Sequence, residues 1–177
     1  MSRLNEIQAQ IGAAKLPPVH KWSPEISGDI DIRIDFQGNW FHESQPIVRH
    51  TLVQLFASVL WCEKGDYYLV TPVEKWRIQV EDVPFVVQGA EHVDGFWFIS
   101  TNTGDRVRVS AEHPVELREL DGQQIPYIQV RYELWARVSR SIYVQWVEES
   151  LLAINDSSNP QAVCLKSGDY EFPVAAA

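Results

Sequence analysis

At 177 residues, with 45% hydrophobic and 22% charged side chains, the chain has the make-up of a folded protein of one domain or two small ones, not of a disordered chain. A net charge of -9 with no cluster of Lys or Arg argues against duplex nucleic acid as a partner, while leaving room for a small anion in one basic pocket. No apolar run reaches the length of a membrane span, the first residues lack the basic start and apolar block of a secretory signal, and Cys62 and Cys164 form neither a disulfide framework nor a zinc motif, so a cytoplasmic protein with reduced thiols is expected.

Leu4, Ile7 and Ile11 recur at helical spacing. Residues 3–15 are therefore expected as a short amphipathic helix, stopped by Pro17 and Pro18 and laid as an arm over the body of the protein. Residues 29–36 then alternate, with Ile30, Ile32 and Ile34 on one face and Asp29, Asp31, Arg33 and Asp35 on the other. The carboxylates could hold a divalent ion, but the solvated side of a half-buried strand explains the same alternation and is preferred. Gln37, Gly38 and Asn39 are turn residues, so residues 39–42 should return as the second strand of a hairpin.

Ser44 reads as a helix cap and Pro46 as a first-turn residue. Behind them Val48, Leu52, Leu55, Phe56 and Val59 share one helical face, predicting a core-facing helix of about four turns. Residues 63–66 stop it and residues 67–71 form a strand. Pro72 interrupts pairing, after which Trp76, Ile78 and Val80 alternate with Arg77 and Gln79 and residues 81–84 close the unit. In the second half, strands over 95–101 and 106–110 flank a turn, and strands over 115–120 and 125–131 flank Asp121 and Gly122. A strand over 134–138, a helix near 140–152, a polar loop over 155–160 and the last strands complete the chain.

Trp40, Ser44 and Ile47 recur 95 positions on as Trp135, Ser139 and Ile142, and Gly65, Asp66 and Tyr67 are echoed by Gly168, Asp169 and Tyr170. The common order of strand, helix, turn and strand points to an internal duplication. Two related units imply an interface, a favoured place for a ligand pocket.

His42, Glu43 and His50 lack the spacing that puts two imidazoles on one helical face, so no metal site is expected. Glu43 beside a helix start is read first as a cap and second as an acid-base group. Arg49 in the first turns would add a guanidinium to the helix N-H groups facing an anion. Thr71 and Pro72 form a rigid corner presenting Glu74 and Lys75, for which a surface ion pair is the commoner explanation. Phosphate-binding, dinucleotide and nucleophile-elbow glycine patterns are missing, and no cofactor is called for. Of the tryptophans, Trp76, Trp97, Trp135 and Trp146 are expected in the core, while Trp22 and Trp40, near turns, could stack on a planar ligand.

The segments 28–34, Gly38 to Glu43, Pro46 and Ile47, 52–56, 68–75 and 80–82 closely resemble the bacterial domain-of-unknown-function family numbered 1285. The match is specific over 22–85 and looser to the C-terminus. One departure is Ser44, where glycine is expected after His-Glu. The resemblance implies an α+β fold of two β-rich units related by internal duplication, each with one main helix, the C-terminal one resembling a pleckstrin-homology-like barrel. It also implies a pocket between the two parts for a nucleotide-like ligand, and a role in signalling.

These readings divide the chain into an arm (1–21), an α+β unit (22–85) and a β-rich unit with a helix (86–177). The favoured function is a cytoplasmic binding or sensor module for a small, planar, anionic ligand, contacted by Arg33, Trp40, His42, Glu43, Arg49, Thr71, Glu74 and Lys75. A protein-interaction module working through strand edges or the N-terminal helix is the alternative. An enzyme using His42 with Glu43 or Glu74 ranks third.

Overall fold

The computed structural model describes residues 3–11, 16–154 and 163–176. The chain forms two compact units, Met1–Pro84 with Tyr132–Leu134, and Phe85–Arg131 with Trp135–Ala177. The first contains α1 (Arg3–Ile11), a 3-10 turn (Val19–Lys21), β1 (Gly28–Ile34), β2 (Trp40–His42), β3 (Gln45–Pro46), α2 (His50–Ser58), β4 (Leu60–Glu63), β5 (Asp66–Val70) and β6 (Lys75–Val80). The second sheet is built from β7 (Phe85–Val93), β8 (Phe96–Thr101), β9 (Arg106–Arg108), β10 (Val115–Leu120), β11 (Gln123–Arg131) and β12 (Leu134–Val138). After it come α3 (Arg140–Ile154) and the hairpin β13 (Val163–Ser167) and β14 (Tyr170–Ala175). The fold is α+β, mostly strand, with one of the two six-stranded sheets curled into a half-barrel.

In the first unit the strand order is β3-β2-β1-β6-β5-β4, with β1 and β6 parallel. Alternation in β1 sends Ile30, Ile32 and Ile34 inward. They meet Trp40, Leu69, Trp76 and Ile78 from neighbouring strands and the buried face of α2, Val53, Phe56 and Ala57. The expected turn after β1 is present: the Asp35 carboxylate accepts from the Gln37 and Asn39 N-H groups at 2.9 and 2.8 Å. Ile7 of α1 is fully buried, and Arg3 lies 4.3 Å from the Trp76 ring centroid. Residues 12–15 of the expected first helix and the polar loop over 155–160 lie outside the described residues.

The second sheet runs β10-β11-β12-β7-β8-β9, with β12 and β7 parallel. Read from the other edge, its order matches that of the first sheet. Each sheet is two consecutive three-stranded meanders joined through a parallel pair. The repeat has a different register from the 95-residue echo. Gly38, Trp40 and Gly65 return as Gly95, Trp97 and Gly122, an offset of 97 − 40 = 57 residues, and the paired glycines share left-handed φ values of 83 and 82°, and 86 and 77°. The echo fails because it aligns two helices at different places in the topology: α2 joins the two meanders, whereas α3 follows both. Trp97, Trp146 and Phe172 form the aromatic centre of the second unit, with edge-on ring pairs at 6.1 and 5.1 Å.

Three local expectations need correction. Ser44 is not a helix cap: it and Glu43 make a two-residue turn with φ values of 63 and 49°, and Gln45–Pro46 pairs with β2 as a third strand. The helix begins at His50 behind Arg49, so it is shorter than predicted, and Val48 is 88% exposed. Residues 60–63, read partly as helix, form β4. The central strand β7 is hidden in the sequence because Gly89 resembles a break; this glycine lies at a register shift, where its missing Cβ makes room for the Ser100 hydroxyl. Among the described residues, no helix is long and apolar enough to cross a membrane.

Candidate ligand-binding site

The outward face of the first sheet collects the side chains that alternation turns away from α2. Asp29 and Arg77 are cross-strand partners, as are Arg33 and Phe41, Arg77 and Tyr68, Tyr68 and Trp61, and Val70 and Lys75. Residues in register share a face. One face of the sheet therefore carries Phe41, Arg33, Asp29 and Arg77 and continues to Lys75, Tyr68 and Trp61, where Tyr68 is buried.

Arg33, Arg77 and Lys75 on this face are each paired with a carboxylate. Arg33 lies 4.3 Å from the Phe41 ring centroid and donates to Glu81 at 2.6 Å. Arg77 donates to Asp29 at 2.8 Å, and this bond holds the Asp29 carboxyl below the usual carboxylate range while raising the guanidinium. Lys75 Nζ donates to Glu63 at 2.5 Å and lies 4.4 Å from the Tyr68 ring centroid. That bond likewise lowers the Glu63 pKa.

Lys75 is the most enclosed of these cations, with a side chain 13% exposed against 49% for Glu63. The corner before it explains its placement. Thr71 is fully buried, its Oγ1 accepts from the Glu74 N-H at 3.0 Å, and its N-H donates to the Glu74 carbonyl at 2.8 Å. This closed turn starts β6 at Lys75, whose N-H donates to the Ser27 hydroxyl at 3.1 Å. Beside Tyr68, Trp61 is half-buried with its ring 5.2 Å from that of Tyr132, whose hydroxyl lies 2.9 Å from His20 Nδ1.

Of the eight residues expected at a site, Thr71, Glu74 and Lys75 stand together at this corner. Arg33 shares the outward face farther along the sheet. Trp40 points inward, 2% exposed and stacked 6.3 Å from Phe56, and His42 lies inward beside Ile32. Glu43 projects from the turn after β2, with 3.9 Å between its Oε1 and His42 Nε2, and Arg49 precedes α2 with no capping bond from its side chain. Tyr68, Trp61 and Glu63 were not singled out from the sequence. No sequence pattern marks them: the pairing of β4 with β5 and of β5 with β6 brings them alongside the lysine.

The family model described as the N-terminal domain of the domain of unknown function DUF1285 matches residues 17–83, and that of the C-terminal domain matches residues 83–174. The chain belongs to the DUF1285 family. All eight candidate residues fall within the span of the N-terminal DUF1285 model. A crystal structure of a DUF1285 family protein from Silicibacter pomeroyi DSS-3 is similar at 31% identity and a TM-score of 0.88, over 99% of this chain and 96% of that one. A second, of a DUF1285 family protein from Shewanella baltica OS155, is similar at 28% identity and a TM-score of 0.56, over 67% of this chain and 91% of that one. No curated protein matches the chain.

Proposed function

We propose that the protein is a cytoplasmic binding or sensor module, which takes a small, planar, nucleotide-like anion at the Lys75 corner and reports its presence in signalling. The observation that supports this reading is the enclosed Lys75 ammonium over the Tyr68 ring, balanced by the half-exposed carboxylate of Glu63. The Glu63 end of the pair is half exposed, so a ligand phosphate or carboxylate could take its place on the enclosed ammonium. Trp61 supplies an apolar wall for the planar part of the ligand. Binding is placed ahead of catalysis because His42 and Glu43 lie at the end of β2, whereas Glu74 is engaged through its backbone in the Thr71 corner.

Thermal-shift and calorimetric titrations with nucleotides, pyrophosphate and inorganic phosphate test the proposal. In the wild type, the midpoint should rise with ligand concentration, since a ligand bound only by the folded state stabilises it by mass action. Lys75→Gln should still fold, with a lower midpoint of its own, and lose the ligand-dependent shift. Glu63→Gln, which removes the competing carboxylate, should bind more tightly. Equal binding by Lys75→Gln and the wild type would overturn the assignment.

A further inference from the structure

β9 forms one edge of the second sheet, and among the described residues no strand pairs with its outer rim. Val109 N-H donates to the Trp97 carbonyl and Thr101 N-H donates to the Asp105 carbonyl, each at 2.9 Å. Bonded and non-bonded pairs alternate along an antiparallel ladder, so the Ile99-Val107 pair between them is also a bonded one. Arg106 and Arg108, opposite Ser100 and Phe98, are therefore the non-bonded positions, and their N-H and C=O groups point away from β8.

Their side chains extend over the outward face of the sheet. The Arg106 guanidinium lies 4.3 Å from the Phe98 ring centroid and that of Arg108 lies 5.0 Å from Phe96. Arg106 reaches Glu91 at 3.2 Å, with both side chains more than half exposed, whereas Arg108 has no carboxylate partner among the described residues. The turn that starts β9 is firmly tied. The Asp105 N-H donates to Thr101 Oγ1 at 3.1 Å, and the Asp105 carboxylate accepts from Thr103 at 2.8 Å and from Arg131. The edge is held in the paired conformation before anything meets it.

We propose that this edge docks an extended acidic peptide, which adds a strand to β9 and sets carboxylates at positions i and i+2 against Arg106 and Arg108. Alternate residues of a strand lie about 7 Å apart on one face, the spacing the two arginines also have. The intervening peptide residue shares the face of half-buried Val107, so an apolar β-branched residue fits there. A second copy of the chain pairing β9 to β9 would bring four guanidiniums together and is disfavoured. The Phe96 and Phe98 rings are already covered by guanidiniums, so they offer no platform for the bases of a single-stranded nucleic acid. A net charge of -9 repels an acidic segment from the chain as a whole, so the arginine pair also decides where it docks.

The test uses the full chain, labelled with nitrogen-15, and the end-blocked peptide Thr-Glu-Val-Glu-Val-Thr. Saturable shifts of the Arg106 and Arg108 amides are expected. Replacing both arginines by Gln, in a variant with unchanged melting, should weaken binding about tenfold or more, as should Lys in place of Glu in the peptide. Methylating the backbone nitrogens of the two Glu residues should abolish binding, because those N-H groups pair with the rim. Equal binding by the methylated peptide would overturn the proposal, as would rim amides that stay unshifted at saturation. The same shifts produced by an oligothymidine or by self-association would also overturn it.

Discussion

Replacing Ser44 by glycine should stabilise the first unit. The pairs Phe41-Pro46 and His42-Gln45 leave a two-residue turn in which Glu43 and Ser44 have φ values of 49 and 63°. This is the mirror-image turn that suits the twist of a hairpin and favours Asn-Gly. A side chain in the left-handed region costs roughly 1–2 kcal/mol. Against that relief, glycine adds about 0.4–1 kcal/mol of unfolded-chain freedom. The Ser44 hydroxyl has no partner among the described residues, so nothing else is lost. The net gain is about 0.5–1 kcal/mol, or roughly 1–4 °C in melting temperature for a chain of this size. The comparable turn at Lys64 and Gly65, with φ values of 54 and 86°, provides the control, because a Cβ on Gly65 would meet nothing within 4 Å. Gly65→Ser should destabilise by a similar amount. Parallel urea and thermal melts of both variants decide the matter. A Ser44→Gly protein no more stable than wild type, alongside a destabilised Gly65→Ser, would refute the backbone argument at Ser44.

Gly168→Ala should cost about 2 kcal/mol or more, since φ is 60° and the new Cβ would lie 2.5 Å from Phe96 Cε1. Adding Phe96→Leu should recover the steric part alone, and an equal loss in single and double variants would show that the ring is not the obstacle. Asp29 and Glu63 have pKa values lowered by hydrogen bonds from Arg77 and Lys75. Such carboxylates stabilise the fold above their unfolded pKa, about 4, and lose that contribution as pH falls through the folded value. The melting-temperature deficit of the double variant Asp29→Asn, Glu63→Gln should therefore be largest near neutrality and close below about pH 4. A deficit that widens in acid would contradict the ion-pair account.

Much of the fold is legible where local chemistry and global role agree. The isoleucine alternation of β1 and the Asp35 and Asp121 turns are such places, since a buried face and a left-handed glycine leave clear marks in a sequence. The helix start is obscured because Glu43-Ser44 is a hairpin turn without the usual glycine, which makes Ser44 and Pro46 look like a cap and a first-turn proline. For β7, the glycine that admits Ser100 broke the pattern that would have revealed the strand. At the candidate site, Lys75 stood out because a Thr-Pro corner precedes it. Its companions Tyr68, Trp61 and Glu63 did not, because diagonal neighbours across strands depend on register, and register follows from turn length instead of from alternation.

The parallel pair at the middle of each sheet also bears on how the chain is made. Gly28 becomes the neighbour of Trp76, and Phe85 that of Ala136, so the first and last strands of each sheet meet at its centre. During synthesis β1 and β7 therefore emerge long before the strands that will shield their inner rims. Until β6 or β12 arrives, the central strand is an open edge competent to pair with another chain. Such long-range closure slows folding, and a chain stopped short of Lys75 or Leu134 would lack the strand that joins its two meanders. Each sheet is thus completed by its last strand, and loss of that strand would remove the sheet's centre and not merely its margin.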